Sequence, residues 1–163
     1  MEKSAKLGKL TLLNIILFGF IGQVAWAVEN NFFNTFLFSF GGTTKDISTM
    51  VAASAVVAVV TTFVMGTLSD KLGRRKVFIC AGYVAWGITV MAFAFISREN
   101  LGKLIGADPS SAAALSATVT TVIVMDCIMT FMGSTSNDSA FNAWITDVTV
   151  PSNRAKTEGL LAI

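Results

Sequence analysis

The sequence predicts an all-α polytopic membrane protein, and three observations carry that prediction. Four apolar runs are each near the roughly 20 residues a helix needs to cross a bilayer. Only 13% of the residues are charged, against about 25% in soluble domains. The cations gather between the runs rather than inside them, which is how loops outside the hydrocarbon are marked.

In chain order, residues 1–9 set Lys3, Lys6 and Lys9 against Glu2 and form a short cytoplasmic N-terminus. The run that follows is long and has no small-residue cleavage site, so it is not a cleavable signal peptide. The first span covers 10–38, longer than a simple crossing and therefore tilted. Gly41, Gly42, Thr43 and Thr44 make an outer turn, and Asp46 is placed to cap the second span, 47–68. Ala52, Ala53, Ser54, Ala55, Ala58 and Gly66 make that span a close-packing one. The third span covers 77–96. Residues 97–111, with Gly102, Gly106 and Pro109, form a second outer loop. The fourth span, 112–146, is long enough to bend at Gly133. Residues 147–158 form a cytoplasmic link, and a fifth apolar stretch begins at 159–163.

The cations agree with this order. Nine of them (Lys3, Lys6, Lys9, Lys71, Arg74, Arg75, Lys76, Arg154 and Lys156) fall on the face assigned to the cytoplasm. Three (Lys45, Arg98 and Lys103) fall outside, which puts the N-terminus inside. Cys80 and Cys127 both lie in apolar runs and read as buried free thiols. The sequence has no histidine and no clustered ligand set, so no metal site and no cofactor are expected. It shows no nucleotide loop, no nucleophile–base set and no basic aromatic patch. Neither an enzyme nor a nucleic-acid partner is expected.

The turn between the second and third spans is the most informative stretch. Residues 70–76 carry four cations and one acid. Gly66 allows close helix approach, Gly73 supplies the bend, and Asp70 suits a nearby arginine or the positive end of a helix. A plain positive-inside loop explains the cations but not Asp70 or the paired glycines.

Gly66, Leu68, Asp70, Lys71, Gly73, Arg74 and Arg75 fall in register with the helix 2–3 loop of the major facilitator superfamily, and the segment resembles it. That resemblance implies a twelve-helix fold in two halves. The chain would then hold the first four spans and the start of a fifth, the N-terminal third of a transporter whose remaining partner is its own C-terminal half. It also implies a conformational latch in this loop, carried by Asp70 and Arg74, with Gly66, Lys71, Gly73 and Arg75 completing the motif.

Three acids fall inside spans: Glu29, Asp126 and Asp138. A charge at the bilayer centre costs about 2.5–3.5 kcal/mol on insertion scales, and such acids usually mark ion or substrate paths. Ser134, Asp138 and Asn142 are four apart and share a helix face, flanked by Asn137 and Phe141. Carboxylate, hydroxyl and amide oxygens suit a hard cation such as sodium. A lone carboxylate taken out of water equally suits a proton. The structural alternative is a pairing of Asp138 with an arginine elsewhere in the protein.

The run from Asn137 to Asn142, followed by Trp144, Asp147 and Arg154, is similar to the fourth helix of the glycoside–pentoside–hexuronide:cation symporters. The melibiose permeases in that group carry an aspartate followed three residues later by a phenylalanine, as Asp138 and Phe141 stand here. The resemblance implies a cation and sugar site at Asp138, and a loop anchor at Asp147 and Arg154. The second-helix aspartates of that group fall on Ala58 and Thr62, and its first-helix aspartate falls on or near Val24. These departures weigh against a melibiose-type sodium site and towards a proton. The same stretch also resembles plant sucrose–proton carriers, as does the Gln23–Trp26–Ala27 pattern.

On the first span Gln23, Trp26, Asn30, Phe33 and Asn34 share one side, with Glu29 at its edge. An aromatic ring flanked by amides suits a sugar; core packing or a lipid face is the alternative. Glu29 is either a second coupling acid or the partner of an outer cation. Asp126 is assigned a vestibule or packing role, and Tyr83 and Trp86 packing or anchoring. The reading is a proton- or sodium-coupled sugar or glycoside symporter of the plasma membrane, surrounded by lipid and working by alternating access. The alternatives are a drug or metabolite exporter of the same superfamily and a non-transporting membrane subunit.

Overall fold

The computed structural model describes residues 7–161. Lys3, Lys6 and residues 162–163 lie outside the described residues. Helix α1 is Lys9–Ser39, α2 is Thr44–Leu72 and α3 is Arg75–Ala92, running on as a 3-10 turn, Phe93–Phe95. Helix α4 is Arg98–Ile105, and α5 is Ala112–Gly133. A π-helical segment, Ser134–Phe141, follows α5 without a break, then α6, Asn142–Val148, and α7, Pro151–Leu161. Among the described residues every element is helical. Four stretches are long and apolar enough to cross a membrane: Lys9–Ser39, Thr44–Leu72, Arg75–Phe95 and Ala112–Val148.

The α5–π rod is the axis of the bundle. It packs against α2 and α3 along its length, and α4 lies across its start. A close approach of α3 to this rod is at Gly82. A Cβ built there would lie 2.6 Å from the Cβ of Ser136, so only a glycine admits the π segment at this distance. Two apolar clusters fill the interior. One gathers Phe33, Leu37, Met50, Trp86, Phe93, Val122 and Met129. The other gathers Ile15, Ile79, Ala140, Phe141 and Ile145 towards the α2–α3 turn. Tyr83 packs against both.

Several expectations change in detail. The cap of α2 is Thr43 rather than Asp46. Thr43 accepts from the Asp46 backbone, and the Asp46 carboxylate accepts from the Thr43 backbone at 2.7 Å, a reciprocal capping box. The second outer loop is not irregular throughout, since it holds α4. Ser97 caps that helix and Gly106, at φ +67°, ends it. Local caps at the right spacing outweigh the glycines that suggested a loop. Pro151 opens α7 within the expected link, at a position where its missing N–H costs nothing. At Gly133 the long fourth rod changes register into the π segment. Cys80 is exposed rather than buried, because α3 turns it away from α5; Cys127 is half-buried. Of the small residues of α2, Ala53, Ser54, Ala58 and Gly66 are partly covered, whereas Ala52 and Ala55 are exposed.

Candidate functional site

The π segment is where polar side chains collect. Seven of its eight residues, all except Asp138, are buried: Ser134, Thr135, Ser136, Asn137, Ser139, Ala140 and Phe141. Three of their hydroxyls solve their own burial by bonding back to carbonyls of the preceding turn, as Thr135, Ser136 and Ser139 do. Competition from such side chains loosens the i→i−4 ladder, and π turns occur where functional side chains gather.

Asp138 is half-buried at the centre of this segment. Ser134 Oγ donates to its Oδ2 at 2.9 Å, and Asn137 Nδ2 donates to its Oδ1 at 3.3 Å. Among the described residues no lysine or arginine forms an ion pair with it. Asn142 does not join the carboxylate. It is exposed, and its amide donates to the Asp138 backbone carbonyl at 3.1 Å. Tyr83, which the sequence pointed to as a packing or anchoring residue, reaches in from α3. Its Oη lies 2.9 Å from Asn137 Oδ1 and 3.1 Å from the carbonyl oxygen of Phe18 on α1. The only sequence signal for this role was a single hydroxyl-bearing ring in an apolar span, where a buried phenol needs a partner.

The polar stripe expected on the first span is divided by the fold. Trp26 sits against Trp86 with ring centroids 5.3 Å apart, at the edge of the first apolar cluster, and Phe33 is buried in it. Asn30 and Asn34 return their amides to their own helix, at 2.9 and 3.0 Å. Gln23 lies on the exposed side, in an apolar depression with Phe20, Ala27 and Leu161. A helical wheel gives angular position but not which arc the neighbouring helices cover.

Glu29 faces inward instead of lying at the edge of that stripe. It is buried; its Oε1 accepts from Thr130 Oγ1 of α5 at 3.1 Å, and its Oε2 has no hydrogen-bond partner among the described residues. Asp126 is buried as well, within reach of Ser54 on α2. Burial at 4% exposure places Asp126 in the packed interior rather than in an open vestibule.

At the opposite end, the α2–α3 turn is closed by one guanidinium. Gly73 takes the left-handed conformation, at φ +61°. Arg75 then bonds Asp70 of α2, Asp147 of α6 and, at 3.3 Å, Ser69 Oγ. Arg75, not Arg74, is therefore the arginine that reaches Asp70; Arg74 is exposed at the start of α3, as is Lys71 before the turn. Gly66 faces Ser139 at ordinary contact distance. Arg154 caps the end of α6 through the carbonyls of Thr146 and Thr149, while Asp147 is engaged by Arg75.

A family model described as Major Facilitator Superfamily matches residues 12–163. No curated protein and no solved structure matches the chain. The match takes in all four candidate spans, the Arg75-closed turn and the π segment. The chain belongs to the major facilitator superfamily of transporters and, with four helices long and apolar enough to cross a membrane, is a multi-pass membrane protein.

Proposed function

We propose that this chain supplies the proton site of a secondary transporter that carries a sugar or glycoside together with a proton by alternating access. The observation that carries the reading is Asp138. It is a half-buried carboxylate in a π segment, held by Ser134 and Asn137, with no cationic partner among the described residues. Two neutral donors on an intramembrane carboxylate leave it free to exchange a proton, which a fixed arginine would prevent. The sugar class rests on the likeness of residues 137–147 to the glycoside–pentoside–hexuronide symporters. A cytoplasmic N-terminus is supported by the excess of cations on one face. The Arg75 cluster would then lie on the cytoplasmic side and act as the latch between access states.

The test is uptake of labelled glycosides into proteoliposomes under an imposed proton gradient, using the full-length transporter and its Asp138→Asn variant. Gradient-driven uptake is expected to fall by about 5–150-fold, the range of coupling free energies of ~1–3 kcal/mol. Unchanged gradient-driven uptake by the variant removes Asp138 from the mechanism. Counterflow with lipophilic cations in place of sugars would favour the exporter reading.

A further inference from the structure

We propose that Tyr83 and Asn137 form a hydrogen-bond relay that converts protonation of Asp138 into a bond between α3 and α1. The inference rests on Asp138 being the proton site.

The geometry that supports it is an excess of acceptors over protons. Tyr83 Oη lies within bonding distance of two oxygens, Asn137 Oδ1 at 2.9 Å and Phe18 O at 3.1 Å. A phenol has one hydrogen and can serve only one of them. The Phe18 carbonyl already has its place in the α1 ladder, whereas Asn137 is buried. With Asp138 ionised, the orientation of the Asn137 amide follows from charge. Nδ2 must face Asp138 Oδ1, so Oδ1 faces Tyr83 and accepts its hydrogen bond. An oxygen in the place of Nδ2 would meet the carboxylate with no hydrogen between them.

A proton arriving at Asp138 reverses each step. Oδ2 already accepts from Ser134, so the proton sits on Oδ1 and the carboxyl becomes a donor towards Asn137. The amide turns over: its oxygen accepts from Asp138 and its nitrogen donates to Tyr83 Oη. Tyr83 then has its own hydrogen free for Phe18 O. In the ionised state Phe18 O keeps its place in the α1 ladder, and the Asn137 amide is the one group that has to turn between the states. The α1–α3 contact gains a hydrogen bond in the protonated state that it lacks in the ionised one.

The relay packs directly on Gly22 of α1, where any side chain would displace it. A Cβ at Gly22 would lie 2.5 Å from Asn137 Oδ1 and 3.0 Å from Tyr83 Oη. The titratable groups that face Asp138 are few. Helix α1 brings Glu29 and α3 brings Tyr83, both within electrostatic reach. Helix α5 brings Asp126 and Cys127, α3 also carries exposed Cys80, and α2 carries no titratable group between Asp46 and Asp70. Among the described residues Glu29, Asp126 and Cys127 make no hydrogen bond to Tyr83, Asn137 or Asp138, so a response of Tyr83 that vanishes with Asp138 belongs to Asp138.

Tyr83 is the sole tyrosine among the 163 residues. The full chain in lipid nanodiscs is examined by ultraviolet resonance Raman, with Tyr83→Phe subtracted. The tyrosine doublet reports whether the phenol donates only, or both donates and accepts. Infrared difference spectra report the protonated Asp138 carboxyl, assigned by its loss in Asp138→Asn. The expected result is a shift of Tyr83 from donor to donor–acceptor with the same pH midpoint as the Asp138 carboxyl band. The shift should be absent in Asp138→Asn and in Asn137→Leu, the latter still titrating at Asp138. A constant Tyr83 signal while Asp138 titrates overturns the relay and leaves the proton site standing, as does a Tyr83 shift that persists in either variant. If neither band moves with pH, the relay is overturned, and gradient-driven uptake by Asp138→Asn decides the proton-site reading by itself.

Discussion

Gly82 and Gly87 lie five residues apart on α3 and face opposite environments. A Cβ at Gly82 meets the Cβ and backbone of Ser136, whereas one at Gly87 meets nothing within 4 Å. The sequence cannot tell them apart. Gly82→Ala is expected to destabilise the bundle by about 1–3 kcal/mol, because overpacking forces the π segment away. Gly87→Ala is expected to stabilise it by about 0.5–1 kcal/mol through helix propensity. Reversible unfolding in detergent, measured on both variants, checks the pair; equal effects would remove the α3–π contact as a determinant. The same distinction holds among the acids. Glu29, Asp126 and Asp138 are all visible as intramembrane carboxylates, but only packing separates them. Asp138 is held by two neutral donors, while Glu29 has one partnered oxygen and one without a hydrogen-bond partner among the described residues.

At the scale of elements, caps and turns are local chemistry and can be worked out from sequence, though not always to the residue. Thr43 and Asp46 cap α2 reciprocally, so each depends on the other. Thr43→Ala is expected to cost about 1 kcal/mol, within the range of about 0.5–2 for lost N-caps. Asp46→Ala added to it should cost little more, since the shared bonds are already gone. A double-mutant cycle on thermal unfolding checks this, and strict additivity would argue against the capping box. The π segment was not legible in the same way. The residues 134–141 show a polar helical stretch, but not its π register, nor that Ser136 packs against Gly82 and Asn137 against Gly22. That register takes Asn142 away from the carboxylate it was expected to join.

At the scale of the molecule, most apolar surface on the spans faces outward. Phe20 is 66% exposed and Phe63 74%. Surface of this kind is covered by lipid or by further helices, never by water. What holds the α2–α3 turn to the rest is the Arg75 cluster, which joins α2, α3 and α6 through one side chain. Asp70 and Asp147 are more than half exposed, so each pair is worth only about 0–1 kcal/mol. Arg75→Ala, which removes both pairs, is therefore expected to change global stability by no more than about 2 kcal/mol, yet to speed hydrogen exchange at the start of α3 and in α6. Exchange confined to the α2–α3 turn, with α6 unchanged, would show that Asp147 does not tie the two together.

The sequence by itself determined the class, the number of spans, the turn motif and the three intramembrane acids. Those follow from length, hydropathy and charge placement, which act along the chain and need no knowledge of neighbours. The tertiary structure decided which faces are covered. It placed Trp26 beside Trp86, turned Glu29 inward, chose Arg75 over Arg74 for Asp70, and brought Tyr83 to Asn137. Tyr83 and Asn137 are 54 residues apart. Both pack against Gly22, where a side chain would displace them, and such a fit between helices is a property of packing rather than of any one segment.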